Sequence, residues 1–198
     1  MARVLMLDIG GVFYRGWPDD EFWPRWGAKT GLGRVELEDW LSTSEDARLA
    51  RLGQITAADY YVRAAKQYGS DPDTFKALLD DAYASEFNTR FADFVRGLAA
   101  RGVPVWALTN SLSAEAVWMR RPGFEGLFDG VISSCECGLA KPDAAIFTLA
   151  AQRAAADPHE ILFVDDLISH VEAARVAGFE AIQFDDTNAV IAELACRW

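Results

Sequence analysis

The sequence contains few of the residues that build histidine-based or cysteine-based sites. It has two histidines, His159 and His170, and three cysteines, two of which stand in Cys135-Glu136-Cys137. This odd number and spacing match neither a disulfide framework nor the paired Cys-x-x-Cys of a zinc site. Two histidines leave little material for a histidine-rich metal site or a Ser/His/Asp triad. The cysteines are therefore interpreted as structural thiols, and any metal would need oxygen ligands.

The chain is also short of positive charge and of long apolar runs. Its 198 residues include 19 lysines and arginines against 30 acidic residues, giving a formal charge of −11. Without a basic run, this charge opposes binding to nucleic-acid phosphates or to an anionic membrane. No run approaches the ~20 apolar residues of a membrane-spanning helix, and the N-terminal residues do not match a signal peptide. We therefore expect a cytoplasmic protein without nucleic-acid or membrane partners.

The first apolar segment is a short run followed by a carboxylate and two glycines. Residues 3–12 read RVLMLDIGGV, in a chain that is 51% hydrophobic and can bury a full core. The run predicts a buried parallel strand that delivers Asp8 to a turn. Because ligands of open α/β sheets bind beyond the carboxyl ends of the strands, Asp8 is a candidate reactive group. For this motif alone, the alternative is an aspartate that only shapes a turn or caps a helix.

The pattern of predicted helices and strands changes near residue 89. Residues 13–88 lack strand-like runs and predict helices, with Thr56 and Asp59 typical of a helix start and Asp71-Pro72 typical of another. Beyond residue 89, predicted strands alternate with predicted helices, one of which covers residues 113–119. The predicted strands cover residues 103–108, 130–134, 161–164 and 181–184. This alternation predicts a parallel, doubly wound α/β sheet.

Polar side chains follow three of the predicted strands at the point where each strand ends. They are Asp8, the pair Thr109 and Asn110, and the pair Asp165 and Asp166. Parallel strands end at the same edge of a sheet, so these side chains are expected to converge, with Lys141 in a turn nearby. Carboxylates and a main-chain carbonyl suit Mg²⁺. A hydroxyl, an amide and a lysine suit the oxygens of a phosphoryl group.

Four segments together resemble the motifs of the haloacid dehalogenase-like hydrolase superfamily, in the subgroup with a helical cap inserted after the first strand. They are Asp8–Val12, Ala107–Asn110, Gly138–Asp143 with Ile146-Phe147, and Phe163–Asp166 with Val171–Ala174. Four motifs in family order and spacing favour this resemblance over the turn-aspartate interpretation of Asp8. The resemblance implies a Rossmann-like, doubly wound parallel sheet of about five strands. Residues 1–13 and 89–198 would form the core, and residues 14–88 the α-helical cap.

The resemblance implies a Mg²⁺-dependent phosphatase that works through an aspartyl-phosphate on Asp8. The implied metal ligands are Asp8, the Gly10 carbonyl, Asp166 and Asp165, the last directly or through water. The implied groups that hold the transferring oxygens are Thr109, Asn110 and Lys141, with Thr109 and Lys141 acting beside Asp8 in catalysis. Positioning and charge neutralisation of this kind are what phosphoryl transfer needs. The expected partner is a small phosphorylated molecule, and the expected assembly a monomer or homodimer.

The sequence departs from the family pattern at Gly10. Most phosphatases of the superfamily have a second aspartate there, which protonates the leaving group and later activates water. General acid-base catalysis is typically worth about 10²–10⁴-fold, so its loss predicts a slow phosphatase, one restricted to good leaving groups, or no catalyst. Water, Tyr14 or a cap residue could substitute. His170 stands where the family often has Asn or Asp, and it is interpreted as a helix-surface residue or a support for a neighbouring site residue.

Four of the seven tryptophans lie in the predicted cap: Trp17, Trp23, Trp26 and Trp40. We interpret most of them as cap core, whereas one or two could form a wall of the substrate cleft.

Two alternatives to a phosphatase stay open. A dehalogenase would use Asp8 on a carbon–halogen bond without a metal, but Asp165 and Asp166 argue against it, because adjacent carboxylates facing an anionic substrate would repel it unless a cation lay between them. A catalytically weak or inactive binding or regulatory protein on the same scaffold is the other alternative, which Gly10 supports.

Overall fold

The computed structural model describes residues 3–14, 18–84, 86–112, 124 and 126–198. The strands in this part of the chain are β1 (Val4–Leu7), β2 (Val105–Thr109), β3 (Gly130–Ser133), β4 (Ile161–Asp165) and β5 (Glu180–Gln183). The α-helices are α1 (Phe22–Thr30), α2 (Arg34–Glu38), α3 (Glu45–Arg51), α4 (Ala57–Tyr68), α5 (Pro72–Ala82), α6 (Thr89–Ala100), α7 (Ser134–Cys137), α8 (Ala144–Arg153), α9 (Ile168–Val176) and α10 (Thr187–Ala195). A π-helix covers Asp39–Thr43, and a 3₁₀ helix covers Pro158–Glu160. The predicted helix over residues 113–119 lies outside the described residues. None of the helices described is both long enough and apolar enough to span a bilayer.

The five strands form one parallel sheet in the order β3-β2-β1-β4-β5. β1 is the central strand, and Leu7 near its end pairs with Ala107 of β2 and with Val164 of β4. This confirms the predicted Rossmann-like α/β fold. β2 begins two residues later than predicted, which fits the lack of a backbone N–H at Pro104. The carboxyl ends of β1, β2 and β4 therefore lie side by side.

Successive residues of β1 point to opposite faces of the sheet, and helices cover both faces. Leu5 and Leu7 join a cluster that includes residues of α6 and α10, whereas Val4 and Met6 join a cluster that includes residues of α8 and α9. A strand buried on both faces needs apolar side chains at every position. This is why β1 reads as a continuous apolar run and ends at the first carboxylate, Asp8.

The described residues from 18 to 84 contain helices and turns, without a strand, and we call them the helical segment. Its helices begin as predicted: Thr56 accepts a hydrogen bond from the Asp59 amide, and Asp71 accepts one from the Thr74 amide. The segment has its own apolar cluster, which includes Trp23, Trp26 and Trp40, each no more than 4% exposed. Those three tryptophans therefore belong to the core of the segment and do not form an exposed wall of a cleft. Trp17 lies outside the described residues. The proposed core and cap boundaries stay a prediction.

The helical segment contacts the carboxyl edge of the sheet at two places. Leu112, two residues after Asn110, is buried in the apolar cluster of the segment. Gly53, at the end of α3, has a φ of +66°, and a Cβ there would lie 2.0 Å from the carbonyl oxygen of Cys135 in α7. A side chain at residue 53 would therefore push α3 away from the sheet edge. These contacts place the segment beside the strand ends.

Candidate active site

Three buried polar side chains meet where the central strands end. Asp8 follows β1, Thr109 ends β2 and Asp165 ends β4, and they are 7%, 5% and 0% exposed. The Asp8 amide donates to the Val164 carbonyl at 2.9 Å, so the first residue after β1 is still held by the neighbouring strand. The sheet order thus brings together residues that are up to 157 positions apart, as the sequence pattern predicts.

Lys141 supplies the positive charge of the site. It precedes α8, its side chain is fully buried, and its Nζ lies 2.9 Å from Asp8 Oδ1 and 2.6 Å from Asp165 Oδ2. Asn110 fixes this turn: its Nδ2 donates to the Lys141 carbonyl and its Oδ1 accepts from the Lys141 amide, both at 2.9 Å. The Asn110 side chain therefore holds the lysine turn in place, which the sequence-based assignment to substrate binding did not anticipate.

Protein donors surround the Asp165 carboxylate. Oδ2 accepts from Lys141, Oδ1 accepts from the Leu167 amide at 2.9 Å, and Nδ1 of His170 lies 3.0 Å from both oxygens. Although burial alone would raise it, the Lys141 charge and the His170 contact lower the pKa of Asp165 to about 2. His170 is only 7% exposed, so it is a support for a site residue and not a helix-surface residue.

Asp166 lies against the glycine turn that follows β1. A Cβ at Gly11 would lie 2.0 Å from Asp166 Cγ and 2.1 Å from its Oδ2, and Gly11 has a φ of +72°. Only glycine therefore allows both this backbone conformation and this close approach. Burial, with the charge of Asp165, raises the pKa of Asp166. The pair of glycines after an apolar strand is the sequence signal for this contact.

The site contains three carboxylates, those of Asp8, Asp165 and Asp166, for the one ammonium described there, that of Lys141. Burial raises the pKa of Asp8 to about 7; Lys141 opposes this shift and the Asp165 charge adds to it. Asp8 and Asp166 would thus both ionise more readily beside an added positive charge. Carboxylate oxygens together with the Gly10 carbonyl are the hard donors that Mg²⁺ prefers. The residues present therefore fit this metal.

A second group of possible metal ligands already binds a side chain of the protein. Donor atoms of Asp8, Asp165 and His170 lie within 4.8 Å of one another, a spacing that could hold a metal ion. However, the Lys141 ammonium lies within hydrogen-bonding distance of both carboxylates. A cation would have to displace this buried ammonium.

Gly10 has room for a side chain. Its φ lies outside the left-handed region, and a Cβ there would have no heavy atom within 4 Å. The backbone therefore does not require glycine at residue 10, and an aspartate would fit there. Tyr14, a candidate substitute, is 6% exposed and packs its ring against Phe87 and Phe124, at centroid distances of 5.3 and 5.8 Å.

Tyr83 of the helical segment lies within range of the Asp8 charge, and the sequence analysis did not identify it as a site residue. It follows α5 and is 44% exposed. Burial by surrounding protein raises the pKa of its phenol; Arg51 opposes this shift, and the Asp8 charge adds to it. Tyr83 thus brings a phenol from the helical segment within range of the Asp8 charge, and Arg51 of the same segment acts on that phenol.

Apolar side chains are also exposed next to the site in sequence. Leu167 and Ile168, which directly follow Asp166, are 49% and 48% exposed. Because the Leu167 amide bonds to Asp165, both residues stay at the carboxyl edge of the sheet. Water-exposed large apolar side chains beside a polar site are typical of the wall of a ligand cleft.

Comparison with known proteins places the chain in a family. A model of the haloacid dehalogenase-like hydrolase family matches residues 3–178. The sesquiterpene phosphatase astK of Aspergillus oryzae is 30% identical, over 97% of this chain and 94% of that protein. The bifunctional epoxide hydrolase 2 of Sus scrofa is 39% identical over 97% of this chain, but this chain spans only 38% of that protein.

A solved structure has the same fold over nearly the whole chain. It is a haloacid dehalogenase family enzyme from Bacteroides thetaiotaomicron, a variant in complex with magnesium and inorganic phosphate. The two chains superpose with a TM-score of 0.80 at 21% identity, over 96% of this chain and 99% of the other. At this identity the likeness concerns the fold.

Proposed function

This chain belongs to the haloacid dehalogenase-like hydrolase family, and on that premise we propose that it is a Mg²⁺-dependent phosphatase of a small organic phosphate. One observation carries the proposal: Asp8 stands at the end of the central strand with the Lys141 ammonium 2.9 Å from Oδ1 and Asp166 at the adjoining glycine turn. A carboxylate between a fixed ammonium and a second carboxylate suits attack on a phosphoryl group. The phosphatase among its relatives and the magnesium and phosphate bound to an enzyme of the same fold support it.

In the proposed reaction, a carboxylate oxygen of Asp8 attacks phosphorus and the bond from phosphorus to the alkoxide or aryloxide oxygen breaks. Water then attacks phosphorus, breaks its bond to Asp8, and releases inorganic phosphate. Mg²⁺, held by Asp8, the Gly10 carbonyl and Asp166, would neutralise charge on the phosphoryl oxygens. Asp8 must be ionised to attack, and the ammonium of Lys141 favours that form.

Thr109 and Lys141 are placed to hold the phosphoryl oxygens in this reaction. Thr109 is buried at the end of β2, the strand that pairs with β1, and its hydroxyl can donate to an oxygen that gains charge. Lys141 remains in place because Asn110 and Asp165 hold its main chain and its ammonium. Fixed donors of this kind stabilise the transition state without reorganisation.

The leaving group receives no proton from residue 10. An alkoxide is a poor leaving group without a general acid, whereas an aryloxide or carboxylate leaves as a stable anion. We therefore expect the protein to hydrolyse aryl or acyl phosphates much faster than alkyl phosphates. A water molecule would have to lose its proton without help from Gly10 in the second step.

The exposed apolar side chains favour a substrate with an apolar organic group. Tyr83, Leu167 and Ile168 lie beside the acidic site, and burying an apolar group against them is worth about 25 cal/mol per Å². A relative that shares nearly its full length with this chain is named a sesquiterpene phosphatase, which supports the same substrate class.

A dehalogenase stays the enzymatic alternative, and charge argues against it. A haloacid would bring its own carboxylate towards Asp8, Asp165 and Asp166, which face the single ammonium of Lys141 in the described site. Burial, with the charge of Asp165, raises the pKa of Asp8 and of Asp166, so further negative charge is unfavourable here unless a cation neutralises it. A catalytically inactive member of the family is the third candidate.

One screen separates the three candidates. Hydrolysis of an aryl phosphate, an alkyl phosphate and a 2-haloacid is measured in wild type and Asp8→Asn, with Mg²⁺ and with a chelator. A phosphatase shows Mg²⁺-dependent release of phosphate that Asp8→Asn abolishes. Metal-independent halide release would identify a dehalogenase, and no turnover of any substrate would identify a non-catalytic protein.

A further inference from the structure

His170 is a buried residue that the proposed reaction does not use. It lies in α9 and is 7% exposed, and its Nδ1 is 3.0 Å from Oδ1 and from Oδ2 of Asp165. Carboxylate oxygens of an ionised Asp165 only accept hydrogen bonds, so the proton of this contact belongs to Nδ1. A buried imidazole that shares one N–H between both oxygens of a carboxylate fixes the plane of that carboxylate.

The same carboxylate fixes the ammonium that faces the nucleophile. Nζ of Lys141 lies 2.6 Å from Asp165 Oδ2 and 2.9 Å from Asp8 Oδ1, and the side chains of Lys141 and Asp165 are fully buried. A lysine side chain is a flexible four-carbon stem. Among the described residues, the charged partners of its ammonium are these two carboxylates, and the ring of Phe163 lies 5.3 Å from Nζ. Rotation of the Asp165 carboxylate would therefore move the ammonium away from Asp8.

We infer that His170 is a positioning residue for the phosphoryl site, acting through Asp165 on Lys141. This inference rests on the proposed function and adds a residue to it. Asp165 has its oxygens filled by Lys141, His170 and the Leu167 amide, so it serves the lysine and leaves direct metal binding to the other acidic residues. His170 therefore governs how phosphate is held, with little influence on how Mg²⁺ is held.

Two substitutions of His170 separate its hydrogen bond from its volume. His170→Asn keeps an amide nitrogen close to the position of Nδ1, whereas His170→Leu fills the space and removes the donor. Loss of a hydrogen-bonding support for a site residue typically weakens function roughly 10- to 100-fold. We expect His170→Leu to weaken the binding of inorganic phosphate to the Mg²⁺-loaded protein by that factor, and His170→Asn to bind phosphate nearly as wild type does.

A substitution elsewhere on α9 serves as a control for a general loss of helix packing. Val171 directly follows His170 in α9, and it is a fully buried apolar residue of the core without a polar side-chain group. Val171→Ala should loosen the helix and leave the affinity for inorganic phosphate unchanged. Lys141→Met should weaken phosphate binding, and adding His170→Leu to it should cause no further loss, because the two residues act through one ammonium.

The experiment is calorimetric titration of each variant, first with Mg²⁺ alone and then with inorganic phosphate in saturating Mg²⁺. Weaker phosphate binding in His170→Leu at unchanged Mg²⁺ affinity supports the inference. Unchanged phosphate affinity overturns it, as does a loss of Mg²⁺ affinity, which would make Asp165 a metal ligand. If His170→Leu does not fold, His170→Gln is compared with His170→Asn, because its amide corresponds to Nε2. Wild type that binds no phosphate would contradict the proposed function itself.

Discussion

The carboxyl edge of the sheet and the helical segment use charged residues in opposite ways. At the sheet edge, Asp8, Lys141 and Asp165 are buried and bind one another. In the helical segment, ion pairs such as Lys76 with Asp80 have both side chains at least a third exposed. Exposed pairs contribute little to stability, so the segment is held together by its aromatic and aliphatic cluster.

The two regions therefore differ in what their residues contribute to the protein. Burying charges is unfavourable unless they pair, and a protein that keeps several of them at one strand edge has a use for them. The helical segment instead has a large apolar cluster of its own, and it brings Tyr83 towards Asp8. We therefore expect changes at the sheet edge to alter metal binding and catalysis, and changes in the segment to alter stability.

The largest expected effect concerns Mg²⁺. Asp166→Asn should weaken Mg²⁺ binding by more than the roughly 10- to 100-fold that follows loss of a mere support for a metal ligand, because it removes a ligand itself. Asp80→Asn in the helical segment should leave the affinity unchanged. Calorimetric titration measures both, and equal affinities in wild type and Asp166→Asn would rule out the proposed metal site.

The next effect concerns the two adjacent glycines. Gly10→Asp should raise kcat/KM for an alkyl phosphate by about 10²-fold and change the aryl phosphate less, because it adds an acid where the backbone has room. Gly11→Ala should reduce both rates, since its Cβ would displace Asp166. Wild-type rates that are already equal on the two substrates would mean that another group supplies the proton.

A core substitution in the helical segment should affect stability alone. Leu78 is fully buried there, and Leu78→Ala should lower the free energy of unfolding by about 2–5 kcal/mol. Val62→Ala, at a position that is 54% exposed, should change it by no more than about 0.5 kcal/mol. Urea denaturation measures both. A loss of Mg²⁺ affinity in folded Leu78→Ala would show that the segment contributes to the metal site.

The two regions should also differ in the pH dependence of their stability. Without metal, burial raises the pKa of Asp8 to about 7 from an ordinary 3.8, so folded protein keeps a proton that unfolded protein loses between these values. Asp8 therefore stabilises the fold less as pH rises towards 7. Asp59, whose pKa is lowered by its hydrogen bond from Thr56, has the opposite effect and stabilises less as pH falls.

Melting temperatures in the presence of a chelator test these signs. The melting temperature of Asp8→Asn should increase relative to that of wild type as pH rises from about 4 to 7. The melting temperature of Asp59→Asn should increase relative to that of wild type as pH falls through the acidic range. Parallel curves for Asp8→Asn and wild type would contradict the raised pKa.

Much of this architecture can be predicted from the sequence, because strands buried on both faces are continuous apolar runs. Their ends bring Asp8, Thr109 and Asp165 to one edge, as expected. What the pattern does not contain is side-chain direction. It leaves His170 open as a surface or a supporting residue, although the imidazole contacts Asp165, and it assigns Asn110 to the substrate, although its amide holds the Lys141 turn.

Contacts between the two regions are also hidden in the sequence. Tyr83 directly follows α5, and only the placement of the helical segment brings it towards Asp8. Gly53 looks like an ordinary helix end, yet a Cβ there would meet the Cys135 carbonyl. Such contacts depend on how separate elements dock, which local patterns do not encode.

The central claim is that Asp8 carries the phosphoryl group during turnover. Wild-type protein is mixed with an aryl phosphate and Mg²⁺, quenched in acid within the first turnover, digested and analysed by mass spectrometry. We expect one added phosphoryl group on the peptide that contains Asp8, and none in Asp8→Asn. Phosphate release without a phosphorylated Asp8 peptide, or with full rate in Asp8→Asn, would contradict it.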